Sequence, residues 1–452
     1  MAAYDDKNDL TTGVVWKKLL RFFIPILLGL LFQQLYNTVD AVIIGRFVGD
    51  LALAAVGGSS AIITQTVIGF FSGLNMGAAV VIAQRFGAND RDGLHRTLHT
   101  ALTFCLLAGA AVMVLGFIFA PNMLELLNNP ADIMEDSVTY LRIYFLGSVP
   151  LLVYNLCQGT MQGVGDSRRP LIYLAVSCCT NIALDLIFVV ILGLAVKGVA
   201  WASVISMTLC AVLALTHLIR TDKPYKLSFK ELRLEKPILL TTLKIGFPSG
   251  IESCVYSVSN LIIQASLNGF GSLVVSAWTA TGKLDGFYWV MSNSFGLAIC
   301  SFVGQCYGAG KIKRLKKAVY TCLVISLCCT VLMSVLLLSI ARPAYSVFLN
   351  DSLVIDYAVE ITWYFVPFYF IWSMVDVFSG AFRGAGDTFR PMIITVMTTC
   401  VFRIIWVIFV VPHWHTLLGV SIVYVLSWVM TVILLLFYFF KAKWIKISGT
   451  DE

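Results

Sequence analysis

The sequence predicts an all-α integral membrane protein of twelve transmembrane helices, built as two copies of one six-helix unit. Three observations carry this expectation. Of 452 residues, 59% are hydrophobic and 13% charged, and the apolar runs repeatedly reach the roughly 20 residues that a bilayer-spanning helix needs, without the short alternation of β-barrel strands. QGTMQGVGDSRRP at 158–170 and SGAFRGAGDTFRP at 379–391 share Gly159/Gly380, Gly163/Gly384, Gly165/Gly386, Asp166/Asp387, Arg169/Arg390 and Pro170/Pro391. AQRFGAND at 83–90 and GQCYGAGK at 304–311 share Gln84/Gln305, Gly87/Gly308 and Ala88/Ala309 at the same separation of 221 residues, so the chain is an internal duplication. Finally, alternate loops divide sharply by their lysine and arginine content, as the loops of a multi-pass protein do.

Taken in order, the chain starts with the polar MAAYDDKNDLTTG and runs into a long helix carrying Lys17, Lys18 and Arg21, a beginning that lacks the pattern of a removable signal peptide. Twelve spans follow, centred near 30, 68, 107, 146, 180, 207, 252, 290, 326, 367, 400 and 428. Residues 1–219 form the expected N-terminal lobe and 237–452 the C-terminal lobe, joined by the basic segment RTDKPYKLSFKELRLEK at 220–236. One set of loops carries Arg85, Arg91, Arg96, Arg168, Arg169, the linker cations, Lys311 to Lys317, Arg383, Arg390, Lys441, Lys443 and Lys446; the other has only Arg46, Lys197 and Arg342. By the positive-inside rule both termini and the linker are cytoplasmic. An even number of spans per half makes the halves parallel, with a substrate expected between them near the midplane. The formal charge of +7 is explained by this topology and does not call for nucleic acid. Twelve cysteines lie in or at the ends of apolar spans, with neither metal-ligand spacing nor a disulfide framework.

Residues that do not belong in lipid mark the candidate site, because a charge at a helix centre costs about 2.5 to 3.5 kcal/mol on insertion scales. In the first span Gln33, Tyr36, Asn37 and Asp40 recur at i, i+3, i+4, i+7 and make one polar stripe. Pro25, earlier in the same helix, frees a backbone carbonyl and is the expected site of a bend. Asn181 and Asp185 of the fifth span share a face, while the fourth adds Asn155 and the sixth Ser203, a set of hard oxygen ligands suited to H+ or Na+. Amides in membrane helices also hydrogen-bond neighbouring helices, which is the alternative for Asn155 and Asn181. The second half does not copy the set: Asn181 and Asp185 correspond to Phe402 and Trp406, whereas Asn155 corresponds to Asp376. Glu252 and Asp376 are expected at a substrate cavity, with Lys283 and Arg403 available to neutralise acids. The aromatic run from Trp363 to Trp372 is expected mainly at the lipid or its interface. His413 and His415 lack companion ligands for a metal, and His95 and His99 are expected at a solvated helix end.

With twelve spans in two parallel halves, the Q-x-F/Y-G-A turn after the second span of each and G-x-G-D-S/T-x-R-P after the fourth, the chain resembles the multidrug and toxic compound extrusion (MATE) family over nearly all its length. The resemblance implies two six-helix bundles forming a V, and antiport of organic, usually cationic or amphipathic, compounds against H+ or Na+. Its DinF-like branch has acids and amides matched here by Asp40, Asn155 and Asn181-x-x-x-Asp185, with Tyr36 at a family tyrosine and Ser203 in place of a threonine. The NorM-like branch uses second-half acids that Glu252 and Asp376 match only about a helical turn out of register.

The resulting expectation is a monomeric alternating-access exporter in the cytoplasmic membrane, without a cofactor beyond its coupling ion. Its rival within the superfamily is a flippase for lipid-linked or polyprenyl-phosphate substrates, which would require several cations in its cavity. A membrane enzyme would require a clustered nucleophile, base or metal set, and the five histidines form none.

Overall fold

The computed structural model describes residues 8–349, 351–414, 416–441 and 444–445, and among them every regular element is helical. The long helices are α1 (Val15–Phe47), α2 (Asp50–Gly57) leading into α3 (Ser59–Gly87), α4 (Arg91–Leu126), α5 (Met134–Leu146) with α6 (Ser148–Gly163), α7 (Arg168–Asp185) and α8 (Ala195–Arg220). The second half continues with α9 (Lys236–Asn268), α10 (Ser272–Gly308), α11 (Ile312–Phe348), α12 (Ser352–Phe365), α13 (Tyr369–Gly384), α14 (Phe389–Thr395), α15 (Phe402–Phe409) and α16 (Leu417–Lys441). Among the described residues ten helical spans are long and apolar enough to cross a membrane, and the bent pair ending in α6, with its 49° break, makes an eleventh. With the 33 residues of α1, about 50 Å of helix, the expected twelve are accounted for.

The repeated turns have one physical cause in both halves. A Cβ at Gly159 would sit 2.9 Å from the Ala79 side chain and one at Gly163 3.0 Å from the Ala79 carbonyl oxygen, so α6 lies directly on α3. In the second copy a Cβ at Gly380 would be 2.3 Å from the Gly296 carbonyl oxygen and one at Gly384 2.4 Å from that of Cys300, so α13 lies on α10 in the same way. Small residues let membrane helices approach until their backbones touch, where packing replaces the hydrophobic effect. Beyond each contact the chain reverses through Gly165 (φ 82°) or Gly386 (φ 88°), left-handed positions that favour glycine. Asp166 then accepts the N–H groups of Arg168 and Arg169 and an ion pair from the Arg169 guanidinium at 2.6 Å, tying off the start of α7.

Packing groups the chain into two compact units: Ile24–Gly250 in one, and Leu10–Phe23 with residues from Ile251 onward in the other. Both α1 and α9 therefore change unit along their length, next to Pro25 and Pro248 respectively. This division differs from a boundary in the 220–236 linker. The reason is that the first half of α9 is locked onto α3: a Cβ at Gly73 would lie 2.3 Å from the Gly250 nitrogen, and one at Gly77 2.2 Å from the Thr242 carbonyl oxygen. The linker itself is not a loose surface segment, since Tyr225 and Leu227 are buried in the core formed with α4, α6 and α8.

Candidate functional site in the first unit

The polar stripe of α1 is graded in exposure: Gln33 and Asn37 are exposed, while Tyr36 and Asp40 are half-buried. Asp185 closes the α-helical part of α7, and the chain continues as a π-helical stretch, Leu186–Ile191, a local irregularity of the kind that gathers at functional positions. Asp185 is fully buried and Asn181, one turn before it on the same face, is 1% exposed. The Asp40 and Asp185 carboxyl groups are close enough to interact directly. Apart from this mutual contact, both Asp185 oxygens, both Asn181 amide atoms and Asp40 Oδ1 have no hydrogen-bond partner among the described residues. Groups placed as deeply as Asn181 and Asp185 are normally satisfied, and hard oxygens left open in this way can accept a proton or a hard cation.

Three tyrosines surround the pair. Tyr36 lies near Asp40 one turn earlier on α1, and Tyr140 and Tyr144 of α5 stack on each other with centroids 5.9 Å apart, Tyr140 within electrostatic reach of both acids. Tyr140 and Tyr144 escaped the sequence reading; their i, i+4 spacing in an apolar span beside an acidic loop was the available signal. Ser203 is buried on α8, one turn before Ser206, whose carbonyl accepts the Ser177 hydroxyl and links α7 to α8. Asn155 is half-buried on α6. Among the described residues no hydrogen bond joins Asn155 or the Ser203 hydroxyl to the carboxyl pair.

The second unit places its acids differently. Glu252 is ion-paired with Arg383 at 3.1 Å, and Asp376, within reach of both, accepts a hydrogen bond from Ser292. Arg383 thus meets the charge that Lys283 or Arg403 was expected to meet: Lys283 is exposed, and Arg403 is buried elsewhere, against Ser427 and Tyr424. The aromatic run also divides, with Trp363, Phe368 and Phe370 outward and Phe365, Tyr369 and Trp372 buried in a cluster around Trp428.

His95 and His99 sit at a structural junction. His99 Nδ1 donates to the His95 carbonyl at 2.7 Å and Nε2 accepts the Ser228 N–H at 3.0 Å, pinning the linker onto α4 rather than ending it in solvent. His95, His99 and Glu231 bring ligand atoms within 4.8 Å of one another, but both nitrogens of His99 are already engaged. His413 is exposed in a turn, and His415 lies outside the described residues.

Two matched segments of one family model, MatE, cover residues 25–187 and 248–409, one in each half of the duplication. The chain belongs to the MatE family. It is a membrane transporter of the multidrug and toxic compound extrusion type and not an enzyme. Curated relatives include the probable multidrug resistance protein YoeA of Bacillus subtilis, 27% identical over 96% of this chain and 95% of that protein. Another is the probable multidrug resistance protein YpnP of the same organism, 30% identical over 70% of this chain and 69% of that one. Among solved structures, a MOP superfamily transporter from Pyrococcus furiosus matches with a TM-score of 0.90 over 97% of this chain and 98% of that one at 22% identity, which establishes the fold.

Proposed function

We propose that this MATE-family transporter is a secondary antiporter that exports organic compounds, cationic or amphipathic, in exchange for H+ or Na+ by alternating access. The observation that carries the reading is the half-buried Asp40 beside the fully buried Asp185 in an apolar unit, with orphaned oxygens and an orphaned Asn181 amide next to them. Two carboxylates so placed are expensive when both are ionised, so the pair takes up a proton or a cation, and that uptake is the event available for coupling. Na+ would find hard oxygens on Asp40, Asn181 and Asp185; Ser203 and Asn155 are proposed as further ligands from neighbouring helices, and Tyr36 as the group that orients Asp40. Neutralisation changes the electrostatic cost of holding α1 against α7, and Pro25, beside the point where α1 changes unit, is the place for that helix to bend. In the first unit the proposed substrate-facing groups are Gln33 and Asn37 on the exposed part of the stripe; in the second unit, taken by itself, they are Glu252 and Asp376.

One elementary charge crossing 100 mV supplies about 2.3 kcal/mol, equivalent to a roughly fiftyfold substrate gradient at about 1.4 kcal/mol per decade. In this reading the transporter is a monomer of the cytoplasmic membrane with both termini and the 220–236 linker inside, needing no cofactor beyond its coupling ion. The test is flux of a fluorescent organic cation such as ethidium into proteoliposomes under an imposed proton or Na+ gradient, with Asp40→Asn and Asp185→Asn beside the wild type. Gradient-driven movement abolished in both variants supports the reading, and the effective gradient names the ion. Movement that survives both substitutions overturns it and directs attention to Glu252 and Asp376.

A further inference from the structure

Unit two contains a buried cation that no acid balances. Arg403 stands at the start of α15, directly after the π-helical stretch Val396–Val401, and is 1% exposed. Its Nε donates to the Ser427 hydroxyl at 2.9 Å, and its guanidinium carbon lies 4.2 Å from the Tyr424 ring centroid and 5.9 Å from that of Tyr256. Nη2 has no hydrogen-bond partner among the described residues. Among the described residues no carboxylate comes within ion-pairing distance of it; Glu252, one of the acids it was expected to neutralise, is held by Arg383 instead. Aromatic faces offset part of the cost of burying a guanidinium, but leave its in-plane N–H groups unmet.

A second donor nearby is in the same condition. Trp428, next to Ser427 on α16 and one turn beyond Tyr424, is 1% exposed, and its Nε1–H also has no acceptor among the described residues. An indole N–H and a guanidinium N–H can only donate. Two buried donors without acceptors, beside an uncompensated positive charge, require a group that accepts hydrogen bonds and carries negative charge. Around them the rings of Tyr424, Trp278, Trp372 and Trp428 form a connected aromatic wall. Tyr256 and Tyr424 remain partly exposed and give a ligand an edge along which to reach the guanidinium.

We propose that Arg403 is a recognition point for an anionic group, a carboxylate, sulfonate or phosphate, carried on an aromatic or amphipathic body that stacks on the Tyr424 and Trp428 wall. This rests on the transport reading above and extends its substrate class, from cationic or amphipathic compounds to zwitterionic and anionic amphiphiles. The anion can come from a soluble compound or from a lipid headgroup, whose phosphate offers the same chemistry. A planar guanidinium suits either, since it presents parallel N–H groups to two oxygens at once.

The test compares a dansylated amino acid, which carries a free carboxylate, with its carboxamide, binding to full-length protein in nanodiscs and read by energy transfer from tryptophan to dansyl. In phosphatidylcholine nanodiscs the wild type is expected to bind the carboxylate about tenfold more tightly than the amide, the ratio typical of one charge-assisted hydrogen bond. Arg403→Gln removes the preference while keeping the amide affinity and the thermal unfolding profile, and Arg403→Lys, with its charge but no fork, is intermediate. Adding phosphatidylglycerol assigns the source. Carboxylate binding that weakens in the wild type, but not in Arg403→Gln, places a lipid headgroup on the same arginine, whereas unchanged binding assigns the site to soluble anions. Equal affinity for the two probes in the wild type, or a preference that persists in Arg403→Gln, overturns the proposal. The antiport reading fails separately: an Arg403-dependent preference in a protein that moves no organic compound under either gradient leaves the anion site standing and removes the efflux claim.

Discussion

Gly77→Ala puts the structure's closest helix contact to a direct test. The added Cβ would lie 2.2 Å from the Thr242 carbonyl oxygen and 2.6 Å from the Gly246 nitrogen, whereas ordinary contact begins at 3.4 Å. These are backbone atoms, so α3 and the first half of α9 have to separate by roughly 1.2 Å to admit one methyl group. Overpacking of this kind costs about 1–3 kcal/mol. Gly282 is the control, a glycine inside α10 with nothing within 4 Å of its would-be Cβ. There alanine removes only the helix penalty of glycine and should stabilise by up to about 1 kcal/mol. Thermal unfolding of both variants in one detergent, followed by tryptophan fluorescence, should move in opposite directions, down for Gly77→Ala and up for Gly282→Ala. Equal midpoints for the two variants would refute the backbone contact between α3 and α9, and with it the assignment of the start of α9 to the first unit.

Arg314 binds the carbonyl oxygens of Leu10 at 3.0 Å, Gly13 at 2.7 Å and also Thr12, so Arg314→Gln should speed amide hydrogen exchange in residues 10–18 by at least about tenfold, given charge-assisted bonds of about 1.5–3 kcal/mol each. Unchanged exchange there would show that the segment is held by other contacts. Glu252→Gln strands the Arg383 charge and should lower stability by about 1–3 kcal/mol, most of which Glu252→Gln with Arg383→Gln restores; additive losses in the double variant would deny the pairing. Asp90 caps α4, and accepting the Gly93 N–H at 2.9 Å, with Arg85 beside it, holds its carboxyl below the usual range. Its contribution is therefore full above about pH 4 and is lost as pH falls through the lowered value. Asp90→Ala should cost about 1 kcal/mol at pH 7 and progressively less in acid, and a pH-independent difference would rule out the carboxylate cap.

The duplication and the membrane class were legible because both depend on local pattern: a 221-residue offset and long apolar runs survive without knowledge of contacts. Asp40 and the Asn181 and Asp185 pair were legible for the same reason, since i, i+4 spacing puts two groups on one helix face. Tyr140 and Tyr144 were not, because their role depends on which face of α5 meets α1 and α7. The partner of Glu252 was also beyond sequence spacing, as Arg383 lies 131 residues away and belongs to a repeated turn whose glycines attract the reading first. Nor does composition show that a polar segment such as 220–236 buries Tyr225 and Leu227 and is pinned by His99. The π-helical stretches beside Asp185 and Arg403 leave no mark in residue type. Local irregularity of this sort is decided by the packing of neighbouring helices.

If neutralisation of Asp40 and Asp185 is coupled to substrate release, substrate binding should in turn displace the coupling ion. The most direct measurement is ion release: purified protein in weakly buffered detergent, with protons followed by a pH indicator and Na+ by a sodium electrode, as an organic cation that it transports is added. The account predicts release of about one H+ or Na+ per protein from the wild type, at an unchanged total protein signal, and none from the variant carrying both Asp40→Asn and Asp185→Asn. Undiminished release from that variant, with substrate still bound, would contradict it.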